Sequence, residues 1–156
     1  MDYEVAATPP NHPSVRALVF CALDELNRRY GANADDASLN FEELEPPRGA
    51  FFVAREGGHL AGGVALRTIS EPDQGIMEIK RLWVRPDLRG RGVARVLMHA
   101  AEEWARSNAR REIYLETGDK QPEAVALYHA LHYERVTAFP EGVPHYPEGI
   151  KFRKSL

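Results

Sequence analysis

The residues best suited to chemistry form one short run, Arg89-Gly90-Arg91-Gly92-Val93-Ala94, set between a strand-like segment ending at Val84 and an amphipathic segment starting at Val93. A strand, a turn with two glycines and two arginines, and then a helix start make an anion site. The first backbone N–H groups of a helix have no internal partner, and the helix dipole adds partial positive charge there. Gly90 and Gly92 carry no side chain and tolerate positive φ, so the backbone can approach a bulky anion closely. Arg89 and Arg91 add mobile cationic groups. The ligand this predicts is a phosphate or pyrophosphate. A Walker loop would need a Gly-Lys-Ser/Thr ending, which is missing, and a dinucleotide fingerprint would need glycine where Arg95 stands. The pattern Arg/Gln-x-x-Gly-x-Gly/Ala is matched in full. The plain alternative is an arginine-rich surface turn before an ordinary capped helix.

Other reactive types are sparse. His129 and His132 are three apart on a helix-like stretch, but no Cys or carboxylate nearby completes a ligand set, so no metal is expected. The single cysteine, Cys21, excludes an internal disulfide and sits in a helical pattern, where a buried core thiol is the expectation. Lys+Arg 20 against Asp+Glu 23 gives a net charge of −3, which argues against a general electrostatic grip on nucleic acid. No apolar run approaches membrane-spanning length, and Met-Asp-Tyr-Glu at the start has no signal-peptide character. The expectation is a single cytoplasmic domain over 1–156, with no nucleic-acid or membrane partner.

The elements that must position the loop follow from periodicity. Residues 2–8 read as a strand, and Val15, Leu18, Val19, Ala22, Leu23 and Leu26 fall at helical spacing with Gly31 as the stop. Residues 35–47 are acidic and irregular, with a short helix expected inside a loop. Residues 49–56 and 60–70 read as strands joined at Gly57-Gly58-His59, and residues 76–84 as a third strand. Val93, Val96, Leu97, Ala100, Ala101 and Trp104 form one helical stripe. Residues 112–117 are strand-like; Pro122 opens a helix whose apolar face is Ala124, Leu127, Tyr128 and Leu131. Residues 133–139 and 149–153 predict a closing strand pair. The order β, α, β-β-β, α, β, α, β-β predicts an α/β layered domain with a mixed sheet.

Three of these pieces carry a resemblance to a known family. Arg89 to Ala94 resembles the acetyl-CoA loop of the GCN5-related N-acetyltransferases (GNAT). Glu78-Ile79-Lys80-Arg81-Leu82-Trp83-Val84 looks like that family's fourth strand, and Gln121-Pro122-Glu123-Ala124-Val125-Ala126-Leu127-Tyr128 resembles its Asn-x-x-Ala-x-x-Leu-Tyr helix. The element order matches from end to end, most closely from Met77 to Tyr133. Two positions depart: Gln121 stands for the usual Asn, and His132-Tyr133 for the usual Gly-Phe, so His132 must find a different C-cap or adopt positive φ. The resemblance implies a mostly antiparallel mixed sheet with splayed central strands, flanked by helices. It implies acetyl-CoA as acyl donor, its pyrophosphate on the backbone of Arg89, Gly90, Arg91, Gly92, Val93 and Ala94. The pantetheine would run beside Leu82, Trp83 and Val84, with further contacts from Gln121 and Tyr128. Homodimers are common in this fold; the oligomeric state stays open.

Acetyl transfer to an amine needs a neutral nucleophile, because an alkylamine of pKa near ~10.4 is almost wholly protonated at neutral pH. Glu78, which matches the base of the family's histone-acetylating branch, is the first candidate. Glu116 is the rival, and water chains serve in other members. The alternative for Glu78 is a solvated carboxylate paired with Lys80 or Arg81. Unbroken alternation would put Glu78, Lys80, Leu82 and Val84 on one side of the strand. The resemblance makes the Leu82 N–H the oxyanion donor, worth roughly 3 kcal/mol when preorganised. Tyr128 becomes the acid that protonates the leaving thiolate; by periodicity alone it is a core tyrosine. Asp35, Asp36, Glu42, Glu43 and Glu45 lie where the family borders its acceptor pocket and would attract a cationic acceptor, or simply form a solvated loop. The expected function is acetyl-CoA-dependent N-acetylation of a small primary amine. A protein lysine or N-terminus is the alternative acceptor, and a non-catalytic acyl-CoA-binding sensor the alternative class.

Overall fold

The structure, a computed structural model, describes residues 2–31, 39–71 and 74–156. After strand β1 (Glu4–Ala7), helix α1 (Pro13–Tyr30) starts where the His12 side chain accepts from the Ser14 N–H and Pro13 occupies the first turn. It stops at Gly31, which takes φ 96°, as the sequence predicts. A 3₁₀ turn (Phe41–Leu44) precedes the hairpin of β2 (Gly49–Glu56) and β3 (His59–Thr68), then β4 (Ile76–Val84). Helix α2 (Val93–Ser107), β5 (Glu112–Thr117), helix α3 (Pro122–Ala130), β6 (Glu134–Val136) and β7 (Ile150–Ser155) complete the chain. His132 takes φ 68°, so of the two outcomes open to it the chain adopts positive φ rather than a different C-cap.

One sheet runs β1-β2-β3-β4-β5-β7-β6. Only β4 and β5 pair in parallel; every other neighbour is antiparallel. The α/β fold with a mixed, mostly antiparallel sheet is therefore as predicted. Both faces are covered. On β2, Phe51 and Val53 pack with Val15, Leu18 and Leu44 under α1, while Phe52 and Ala54 join Leu97, Met98 and Ala101 under α2. Side chains of a strand alternate between faces, so one apolar run feeds two cores. Gly62 and Gly63 let neighbours pack closely on β3: a Cβ on Gly62 would lie 2.5 Å from the Trp83 carbonyl, and one on Gly63 2.7 Å from the Phe51 ring.

Three expectations about helix faces are corrected. Val96 is exposed, and the buried face of α2 is Val93, Leu97, Met98, Ala101, Glu102 and Ala105. The expected stripe was drawn along apolar residue types; the sheet takes a face rotated toward Met98 and Ala105. On α3 only Tyr128 is buried, with Ala124, Leu127 and Leu131 half-buried. Cys21 is half-buried on α1 rather than a core thiol.

The feature that creates a site is the parting of β4 from β5. Their pairing covers only Ile76–Ile79 against Glu112–Leu115. Beyond Ile79, β4 stays with β3, while β5 continues with β7 to Thr117. The central strands splay, as expected, and the β5-facing edge of residues 80–84 has no partner strand.

Candidate active site

The splay opens into a cavity of about 550 Å³, within the size range of small-molecule sites. Glu78, Lys80, Leu82 and Trp83 of β4, Glu116 of β5 and Tyr128 of α3 all line it, with Leu26 and Tyr30 of α1 on the far wall. A bulge shapes the β4 wall. Between Lys80, opposite Ala65, and Trp83, opposite Gly63, β4 advances three residues while β3 advances two. Arg81 takes φ 56° to absorb the extra residue. The expected alternation is therefore overturned. Met77 and Ile79, then Leu82 and Val84, pack toward α2, whereas Ala65, directly opposite Lys80, and Trp83 pack toward α1. Glu78 and Lys80 share the α1 face; Leu82 and Val84 lie on the other.

Glu78 is 3 % exposed and sits opposite Arg67 in the β3–β4 ladder. The alternative of a solvated carboxylate gives way to a buried, paired one: Arg67 Nε and a terminal nitrogen donate to the same Glu78 oxygen, Oε1, at 3.0 and 2.8 Å. The Arg67 guanidinium also reaches Glu43 at 3.4 Å. Burial pushes the Glu78 carboxyl above the ordinary carboxylate range, and the charges of Lys80 and Arg67 oppose that push. The result is a desolvated carboxylate with a raised proton affinity, the condition of a useful base. Arg67 escaped the sequence reading because only the strand register places it beside Glu78.

Glu116 also lines the cavity but is committed elsewhere. Both its oxygens accept from the Tyr146 N–H at 3.1 Å, and the buried Lys151 ammonium lies 3.3 Å away. Lys151 donates in turn to the carbonyls of Tyr146 and Gly149. The rival base is thus an anchor for the loop before β7. Glu43 is consumed by Arg67, the Glu42 N–H is capped by Asn40, and Glu45 ends the 3₁₀ turn. Asp35 and Asp36 lie outside the described residues.

Tyr128 is 6 % exposed, its ring 5.6 Å from Phe152 and 6.0 Å from Tyr133. It is a core tyrosine and a cavity residue at once. Burial alone raises its phenol above the ordinary value, so it stays protonated through the working pH range. Gln121 occupies the N-cap of α3, where its side-chain oxygen accepts from the Gly118 N–H at 3.3 Å. Two polar atoms of the walls, Trp83 Nε1 and Thr117 Oγ1, are buried with no hydrogen-bond partner among the described residues.

The anion loop lies beside the cavity. Leu88 is buried and pins a 3₁₀ turn at Pro86–Leu88; Gly90 and Gly92 follow with φ 78° and 89°. A Cβ on either glycine would meet nothing within 4 Å, so the groove in front of them is open. Gly92 caps α2 without a side-chain bond to its first turn, and Val93 is buried beneath it. Arg91 is exposed. Arg89, expected as a mobile cation, is fastened: Nε donates to the Val84 carbonyl at 2.9 Å and a terminal nitrogen to Glu25. Glu25 lines the cavity and is shared with Arg29, which also binds Glu123 at 2.6 Å. Among the described residues no three His, Cys, Asp or Glu side chains are placed to hold a metal, and no helix is long and apolar enough to cross a membrane.

Comparison with known proteins bears on what such a splay is for. A profile of the Acetyltransferase (GNAT) family matches residues 19–133. The uncharacterized N-acetyltransferase YjgM of Escherichia coli is 31 % identical over 142 residues, covering 81 % of this chain and 85 % of that protein. Mammalian relatives of the N-acetyltransferase 8 group are longer, and the chain spans 39–47 % of those from rat and mouse. A Klebsiella pneumoniae protein described as an acyl-CoA N-acyltransferase superposes with a TM-score of 0.79 at 26 % identity, covering 99 % of this chain and 97 % of its own. The PaiA N-acetyltransferase of Thermoplasma acidophilum, solved with coenzyme A, superposes at 0.74 over the full length of both chains with 14 % identity.

Proposed function

The chain belongs to the acetyltransferase (GNAT) family, and from that premise we propose that it transfers an acetyl group from acetyl-CoA to the primary amine of a small molecule, by direct attack in a ternary complex. One observation carries this reading. A buried carboxylate with raised proton affinity, Glu78, and a buried protonated phenol, Tyr128, line one cavity where two parallel strands part.

The residues fit the acyl donor. The open backbone in front of Gly90 and Gly92 suits a pyrophosphate, with the uncapped first turn of α2 behind it. The unpartnered edge of β4 offers Leu82, Trp83 and Val84 to a chain carrying amides, and the orphaned Thr117 Oγ1 and Trp83 Nε1 supply two further groups such a chain could satisfy. Bound there, acetyl-CoA supplies the electrophilic thioester carbonyl.

The chain's own residues would act as follows. Glu78 takes the proton the amine loses, directly or through one water, as the new C–N bond forms. The Leu82 N–H stabilises the developing oxyanion. As the C–S bond breaks, Tyr128 gives its proton to the departing sulfur and recovers one from solvent. The products are an N-acetyl amine and free CoA, with no net oxidation. Thiol release from acetyl-CoA across a panel of amines, amino acids and peptides tests the reading. Glu78→Gln should lower kcat/KM by roughly 10²-fold or more near neutral pH. A protein that binds acetyl-CoA but turns over no acceptor would be a sensor, and peptide-only turnover would make the acceptor a protein.

A further inference from the structure

We propose that the acceptor carries a carboxylate beside its amine, an amino acid or a close relative, and that Lys80 is the residue that binds it; this deepens the acetyl-transfer reading and rests on it. Charge inside the cavity points this way. Of the two carboxylates on its inner wall, Glu116 is matched by Lys151 and the Tyr146 N–H, and Glu78 shares Arg67 with Glu43. Glu43, which could have drawn a cationic acceptor, is held by Arg67. Asp119 and Glu148, the other lining carboxylates besides Glu25, are exposed at the rim.

Lys80 stands apart. It lines the cavity, is half-buried and acts through space on Glu78 of the same wall, with no salt-bridge contact to any described residue. A partly desolvated ammonium offset only through space has donors left to give, and an anion delivered by the ligand would take them up. Its position is also specific. The bulge begins after Lys80, so Glu78 and Lys80 still alternate normally and share the α1 face, two residues or about 6–7 Å apart along the strand. A negative and a positive group side by side on one wall complement a zwitterion. The carboxylate of the acceptor would go to Lys80 and the amine to Glu78, with the remaining side chain among Leu26, Tyr30 and Trp83. An amine without the anion would gain nothing from Lys80.

Matched pairs test this directly. With CoA-loaded protein, calorimetry compares L-phenylalanine with 2-phenylethylamine and L-leucine with 3-methylbutylamine. Thiol release then gives kcat/KM for the same pairs, at a pH on the plateau of the activity profile. The amino acid of each pair should be favoured at least about tenfold. Lys80→Met should collapse that ratio toward one by weakening the amino acid about ten- to a hundredfold, the range of hydrogen bonds to charged groups. Lys80→Arg should keep most of it.

A preference for the decarboxylated amines, or no binding of either, overturns the proposal in the wild-type protein alone, whatever Lys80→Met does to folding. A preference that survives Lys80→Met, or an equal loss of kcat with both members of a pair, also overturns it. Lys80-dependent amino-acid binding without turnover would uphold the anion site and sink the transferase reading instead.

Discussion

Glu78 is bound by one arginine through one of its two oxygens, and its proton equilibrium is set by burial against the charges around it. Burial raises its pKa; Lys80 on its own strand and Arg67 on β3 lower it again, while Glu116 on β5 adds to the rise and Glu43 draws on Arg67 from outside. A base must be ionised, so activity should fall on the acid side at a pH above the ordinary carboxylate value. Arg67→Met removes one lowering charge and leaves a buried carboxylate unpaired, so the acid limb of kcat/KM should move further upward, with activity recovered at high pH. An unmoved limb in folded protein would show that Arg67 merely packs. Tyr128 makes the complementary case. Its ring belongs to the core beside Phe152 and Tyr133, so Tyr128→Phe should leave the melting temperature nearly unchanged. If the phenol is the acid, kcat should still drop on the order of 10²-fold, with acetyl-CoA affinity intact. Its raised pKa means that the wild-type profile should show no basic limb from phenol ionisation below about 10.

At the scale of elements, the proposed role of the anion loop rests first on backbone conformation. Gly90 and Gly92 both sit in the left-handed region, and Gly92 turns the chain directly into α2. A side chain at Gly92 therefore does two things: it strains the backbone by roughly 1–2 kcal/mol and it fills the space in front of the helix N-terminus. The hairpin offers a matched control. Gly58 has φ 83° against 89° at Gly92, and a Cβ on either meets nothing within 4 Å. Gly58→Ala and Gly92→Ala should lower the melting temperature by similar amounts, a few degrees each for a chain of this size. Only Gly92→Ala should weaken acetyl-CoA binding by calorimetry. Equal affinities in the two variants would remove the loop from the binding site. The bulge in β4 belongs to this scale too. Unbroken alternation would have put Glu78 and Leu82 on one face; the extra residue at Arg81 separates the carboxylate from the oxyanion-side strand edge.

Across the whole molecule, what was legible in the sequence is what local pattern controls. The bounds of β4, α2 and β5 agree with periodicity because each carries a regular apolar pattern between turn residues, and the loop chemistry is contiguous. The bulge, the Arg67–Glu78 pair and the capture of Glu116 by Tyr146 and Lys151 were not legible, since each depends on strand register or on segments some 10 to 35 residues apart. The same holds for the strap that α1 throws across the mouth of the splay. Glu25 holds Arg89 of the anion loop, Arg29 binds Glu123 and the Lys120 carbonyl, and the Tyr30 hydroxyl accepts from the Lys120 N–H. Partly exposed ion pairs of this kind contribute only about 0–1 kcal/mol each, so the strap does little for stability. Its effect on ligand binding is a separate matter. Arg89 is already neutralised by Glu25, and an incoming pyrophosphate must share that guanidinium while facing the Glu25 charge. Glu25→Gln keeps the shape and removes the charge. Acetyl-CoA should then bind about two- to fivefold tighter, as expected for relief of a screened repulsion, and the gain should shrink at high salt. Calorimetry at two ionic strengths reads this directly. Weaker binding in Glu25→Gln would mean that Glu25 serves to aim Arg89 at the ligand, and the competition argument would fail.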